Sequence, residues 1–259
     1  MTVNRGYPGP AGPGGPSSVL GRLLEELSWT GTRVRQFRDG GRGHENVLTA
    51  EALTALDFLP RTDFLGSVLR GADGARAARQ RLVEEIEDAE ITLLPDELFL
   101  RPAAADRLSG VPVQPDGLLV SPGCFALLEA KRIRGGSFGR EQLARELHCV
   151  LRESRGRVPL LLLLLGEPPP VTVRGHGRVP IGTAVALAAD AVLARVGGTG
   201  PDPSTLVDAV ADVVAWTTRD RVAEVVSDRR DRFPTRDPSV RASVERLADS
   251  VVRAVARHA

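Results

Sequence analysis

The sequence predicts an α/β fold: a mixed central β-sheet flanked by helices, with a helical C-terminal extension. Three observations carry this. Asp116–Val120 and Phe125–Ile133 are two apolar-rich runs joined by Ser121-Pro122-Gly123-Cys124, and Pro-Gly suits the central positions of a turn. Val158–Leu165, VPLLLLLL, is an unbroken apolar run, the pattern of a strand buried on both faces. Between them, Gly139–Leu151 places Leu143, Leu147, Val150 and Leu151 on one side of a helix.

The remaining elements follow in order. Residues 1–17 are rich in Pro and Gly and are expected to be a disordered tail. Residues 18–175 form the core with its N-terminal helices. Ser17 or Ser18 caps a helix over Val19–Trp29, and Thr30–Gly43 reads as a basic loop or a strand with flanks. A helix opens at His44, carries Leu48, Ala52, Leu56 and Leu59 at helical spacing, and ends at Pro60. Thr62–Arg70 and Asp73–Glu90 read as two further helices, the second burying Leu82, Val83, Ile86 and Ala89. Ile91–Leu94 reads as a strand, and Glu97–Leu100 as another or its continuation. After the hairpin, the helix and the leucine strand, Pro168-Pro169-Pro170 stops the chain and Val171–Val173 reads as an edge strand. Residues 176–259 read as a helical region packed on the core, with helices over Ile181–Val196, Pro203–Ala223 or beyond, and Pro238–Arg257.

A chain of 259 residues can bury a substantial core. The net charge of +1 supplies no global basic field, so any argument for nucleic acid must come from local patches. Cys124 and Cys149 have neither metal-site spacing nor a disulfide framework. With no signal-like N-terminus, this predicts a cytoplasmic protein. The longest apolar run is too short to span a bilayer and contains Pro159, so no membrane partner is expected. The basic residues are arginine throughout, except Lys131. In a sequence biased toward Arg, Ala, Gly and Pro, one retained lysine marks a position where a compact charge with a movable pKa matters.

That lysine lies in the hairpin. With Pro122-Gly123 at the turn centre, Val120 faces Phe125, Leu118 faces Leu127, and Asp116 faces Glu129. Lys131 shares the face of Glu129 because side chains alternate. A three-residue loop would shift the register and separate the two acids. Facing carboxylates destabilise a sheet unless a cation lies between them, and a divalent metal is the natural candidate. No histidine pairing of the HExxH type and no GK[ST] loop is present, which argues against zinc catalysis and a P-loop.

Pro115-Asp116, twelve intervening residues, then Glu129-Ala130-Lys131 resembles the PD-(D/E)xK nuclease superfamily, whose members share a restriction-endonuclease-like core. The resemblance extends to the helix bearing Gln142 and to the leucine strand, and covers roughly Glu45 to Val173. It implies Mg²⁺ or Mn²⁺ held by Asp116, Glu129 and the carbonyl of Ala130. Lys131 is implied to orient water or stabilise charge on the phosphate, and Gln142 to hold the water or a phosphate oxygen. A further acid is implied from an early helix, with Glu45 ahead of Glu84; Glu85 and Glu87 read as solvated. Arg132, Arg134, Arg140 and Arg145 are candidates for DNA phosphate contacts. The function so implied is a metal-dependent nuclease acting on double-stranded DNA, in phage defence or DNA processing. The alternatives are a non-cleaving DNA-binding module on the same fold, or a ribonuclease. A homodimer, or a partner protein that supplies targeting, is a further expectation.

Overall fold

The leucine run occupies the middle of the sheet. In the computed structural model, which describes residues 52–100, 111–131, 136–196 and 202–256, β7 (Val158–Leu165) is flanked by two parallel neighbours. One is β6 (Cys124–Ala130) and the other is β10 (Val214–Thr218). Beyond β6 lie β5 (Gly117–Val120) and β2 (Glu90–Leu93), each antiparallel to its neighbour. Beyond β10, the two-residue β1 (Asp73–Gly74) closes the other edge. The six-strand order is β1-β10-β7-β6-β5-β2.

Alternation along β7 builds two cores. Leu160, Leu162 and Leu164 face one side, and Leu161, Leu163 and Leu165 the other. The first side is covered by α1 (residues 52–58), α2 (Leu65–Gly71), α3 (Arg76–Glu84), α9 (Arg219–Asp231) and α10 (Pro238–Ala256). The second is covered by α4 (Gln142–Glu153), α5 (Ile181–Ala186), α6 (Ala189–Val196), α7 (Pro203–Asp208) and the single turn α8 (Val210–Val213). The result is three layers, α/β/α. Each fully buried leucine contributes about 1.5–3 kcal/mol, so the six-leucine run anchors both layers. No helix among the described residues is long and apolar enough to cross a membrane.

Several expectations are corrected. The stretch read as one helix from Pro203 to Ala223 is α7, α8, β10 and the start of α9. Val214-Ala215-Trp216-Thr217-Thr218 is rich in β-branched and aromatic residues, and pairing with β7 overrides a helical reading. The region after residue 175 is therefore not only helical: it inserts a strand between β1 and β7. Ile181–Val196 is two helices, with the break at residues 187–188. The helix read as Asp73–Glu90 is shorter: Asp73 and Gly74 pair with β10, α3 ends at Glu84, and residues 85–88 turn the chain into β2. The helix expected from Thr62 starts at Leu65, after a turn. Val171–Val173 (β8) pairs with Gly177–Val179 (β9), and Leu98–Leu100 (β3) pairs with Val111–Val113 (β4), in two small separate sheets. The expected tail, the Val19–Trp29 helix, the basic loop and the opening of the His44 helix lie outside the described residues.

Candidate active site

The hairpin has the register counted from its sequence. Val120 pairs with Phe125 and Leu118 with Leu127, and the Ser121 N–H donates to the Cys124 carbonyl at 2.9 Å. Glu85 secures the turn: one carboxylate oxygen accepts from Ser121 Oγ and from the Gly123 N–H, both at 2.7 Å. These bonds hold the Glu85 carboxyl below the usual range, the Ser121 contact most of all. Glu85, read as solvated, is thus a turn anchor. Glu87 accepts from the Thr62 N–H and hydroxyl.

At the other end of the hairpin, the chain bends at Asp116. Its N–H donates to the Leu128 carbonyl at 3.0 Å, and its Oδ2 accepts the Ala130 N–H at 2.7 Å. A continued ladder would offer Ala130 the carbonyl of Pro115; the carboxylate takes that place. Asp116 is thereby tied to the backbone of the residue between Glu129 and Lys131.

Glu129 and Lys131 project toward α4, on the face that carries Phe125 and Leu127. Glu129 is buried, and its Oε1 accepts from Lys131 Nζ at 2.5 Å and from Gln142 Nε2 at 2.6 Å. The same Gln142 amide nitrogen donates to Glu146 Oε1 at 2.8 Å, while Gln142 Oε1 accepts the Gly139 N–H at 3.2 Å. Both amide hydrogens of Gln142 are therefore spent on carboxylates. The expected role of Gln142, holding a water or phosphate oxygen, gives way here to bridging two acids. Lys131 lies 5.1 Å above the Phe138 ring.

The main chain of Lys131 is held on both sides. Its N–H donates to the Leu164 carbonyl at 2.8 Å, and its carbonyl accepts from Arg219 Nη2 at 2.9 Å. Arg219 is 1% exposed and is the first residue of α9. It reaches across the end of β7, so the region after residue 175 contributes directly to the site. The cluster lies at the C-terminal ends of three parallel strands, where ligands of α/β sheets gather. A cleft of about 210 Å³ opens beside it, lined by Lys131, Phe138, Leu165, Val171, Thr172 and Arg178.

Electrostatics follow from burial. Desolvation pushes the Glu129 carboxyl up to about 8, reinforced by Glu146 and opposed by Lys131 and Gln142. Desolvation likewise pushes Glu146 up to about 7, against the pull of Lys131 and Gln142. For Lys131, burial acts to lower the pKa, but Glu129, Glu146 and Asp116 outweigh it and the net shift is upward. The direct contact favours a charged Lys131–Glu129 pair. Glu129 and Glu146 titrate as a coupled buried pair, so a proton retained near neutrality belongs to the pair rather than to either acid.

Asp116, Glu129, Lys131, Ala130 and Gln142 are thus brought together. Glu84 is not: it accepts from Gln80 at 3.1 Å and lines a separate cleft of about 1320 Å³ with Arg70, Arg76, Asp212 and Arg221. Its neighbour Glu85 holds the hairpin turn, the end remote from Asp116. Glu45, Arg132 and Arg134 lie outside the described residues. Arg140 is exposed just before α4, and Arg145 is half-buried on it. Glu146 and Arg219 were not singled out from sequence. Glu146 lies four residues after Gln142, on the same helical face, and that spacing was a readable signal.

Among the described residues, no three His, Cys, Asp or Glu side chains already form a metal-binding group. The donor set that the resemblance implies needs only two carboxylates and a main-chain carbonyl, all hard oxygen ligands, and Asp116 Oδ2 is here bonded to the N–H of Ala130, the residue after Glu129. Comparison with protein-family models, curated proteins and solved structures returned no match.

Proposed function

We propose that this chain is a metal-dependent nuclease with a restriction-endonuclease-like core, hydrolysing phosphodiester bonds of double-stranded DNA. The observation that carries this reading is the Lys131–Glu129 pair at the carboxyl end of β6, with Asp116 tied to the intervening Ala130. The order β2, β5, β6, α4, β7, an antiparallel meander followed by a helix and a parallel strand, supports it.

Asp116, Glu129 and the Ala130 carbonyl would hold Mg²⁺ or Mn²⁺. When bound, the ion supplies a nucleophile at neutral pH and neutralises charge on the phosphate. The protein's own part is positioning. Lys131, fixed through both its main-chain groups, presents its ammonium to the non-bridging oxygens on which charge gathers as water attacks phosphorus and the ester oxygen departs. Asp116, through the Ala130 N–H, holds the main chain between Glu129 and Lys131 in place. Arg140 and Arg145, with Arg132 and Arg134, would contact flanking phosphates.

The test is incubation of supercoiled plasmid with the protein and Mg²⁺ or Mn²⁺, beside Asp116→Ala and Lys131→Ala. The reading predicts nicking or linearisation that falls at least about a hundredfold in each variant. Cleavage that persists in both sinks it. One observation favours a non-cleaving DNA-binding module instead: Glu129 Oε1 already accepts from two donors. DNA binding in EDTA, with no cutting under either metal, would select that module.

A further inference from the structure

Glu146 is 2% exposed, and its Oε2 is buried with no hydrogen-bond partner. A buried carboxylate oxygen without a partner costs a protein stability, and native structures retain one where it has a use, such as contact with a water or an ion. Its other oxygen receives one hydrogen of the Gln142 amide, whose second hydrogen goes to Glu129. The partial positive charge of that amide thus lies between two buried acids, where a cation would serve better. Asp116 is close enough for its charge to act on both Glu146 and Lys131.

We infer that Glu146, from the helix that follows the motif, is a third side-chain ligand of the divalent-cation site, beside Asp116 and Glu129. This rests on the cation reading of the preceding section. It assigns the additional acid to α4 rather than to the helices before the hairpin. Ligation requires the Gln142 amide to turn aside and release Glu129 Oε1 and Glu146 Oε1, which explains why three carboxylates do not already converge. Gln142 is then a competitor of the ion, so the two α4 residues have opposite effects on affinity.

The experiment measures Mn²⁺ binding to the full chain without DNA, from the loss of the free-ion electron paramagnetic resonance signal. Glu146→Gln is expected to weaken binding about tenfold or more. Glu146→Asp should retain part of the affinity, Glu84→Gln all of it, and Gln142→Ala should bind at least as tightly as wild type. Wild-type affinity in Glu146→Gln overturns the inference and leaves the cation reading standing. Equal losses in Glu146→Gln and Gln142→Ala also overturn it, since they make Glu146 a positioning residue that acts on Glu129 through Gln142. Failure of the wild-type protein to bind Mn²⁺ defeats the cation reading itself, and this inference with it.

Discussion

Replacing Glu146 by glutamine should stabilise the metal-free protein, and only at neutral to alkaline pH. In the unfolded chain the carboxyl has its ordinary value of 4.5, and burial raises it to about 7 in the fold. Between those pH values the native state holds a proton that the unfolded state lacks, so stability falls as pH rises. At about 1.4 kcal/mol per pH unit, the full cost above pH 8 is on the order of 3 kcal/mol. Glutamine has the same shape, still accepts the Gln142 amide hydrogen, and carries no charge to bury. Urea unfolding at pH 5 and pH 8.5, followed by tryptophan fluorescence, reads the difference from the midpoints. The variant should gain on the order of 3 kcal/mol at pH 8.5, which corresponds to roughly 6–12 °C in Tm. At pH 5 it should differ from wild type by no more than about 0.5 kcal/mol. A gain independent of pH, or a loss at pH 8.5, would refute the reasoning. If Glu146 ligates a cation, this buried charge is stability given up for function, a trade seen widely at active sites.

Other outcomes follow from the same geometry. Because Lys131 is the only lysine, a ¹³C-lysine-labelled protein gives a single ε-methylene signal. It should titrate above the ordinary lysine value and shift downward in Glu129→Gln, which removes the largest contributions that oppose burial. The raised value means that the pair's contribution is fully present below pH 10.5 and is lost above the folded pKa. Arg219→Gln should cost on the order of 2 kcal/mol in urea unfolding, because it removes a charged donor from the buried Lys131 carbonyl, and it should shift that lysine signal. An unmoved signal would show that Arg219 does not position Lys131. Leu161→Ala, at the centre of the sheet, should cost about 2–5 kcal/mol by the same unfolding assay.

What could be read from the chain divides along physical lines. The hairpin register was legible because a tight turn and strict alternation leave few ways to pair Asp116–Val120 with the residues after Gly123. The leucine strand was legible because an apolar run that long fits only a position buried on both faces. Strand β10 was hidden because Val214–Thr218 is short, is flanked by helical patterns, and owes its conformation to pairing with β7. Arg219 was hidden with it, since its role depends on where that strand ends. Glu146 was in plain view on the Gln142 face of α4. However, an acid on a helix reads as solvated until packing shows it to be buried. The same error befell Glu85, whose partners lie thirty-six and thirty-eight residues away in the turn.

The central claim is that Asp116, Glu129 and the Ala130 carbonyl hold a divalent cation beside Lys131. Anomalous diffraction from a Mn²⁺-soaked crystal of the protein tests it most directly. The account predicts a peak in contact with all three groups, with Glu146 turned toward it and Gln142 displaced. A well-ordered crystal at millimolar Mn²⁺ with no peak there, and with Lys131 still bonded to Glu129 and Gln142 still bridging the two glutamates, would contradict it.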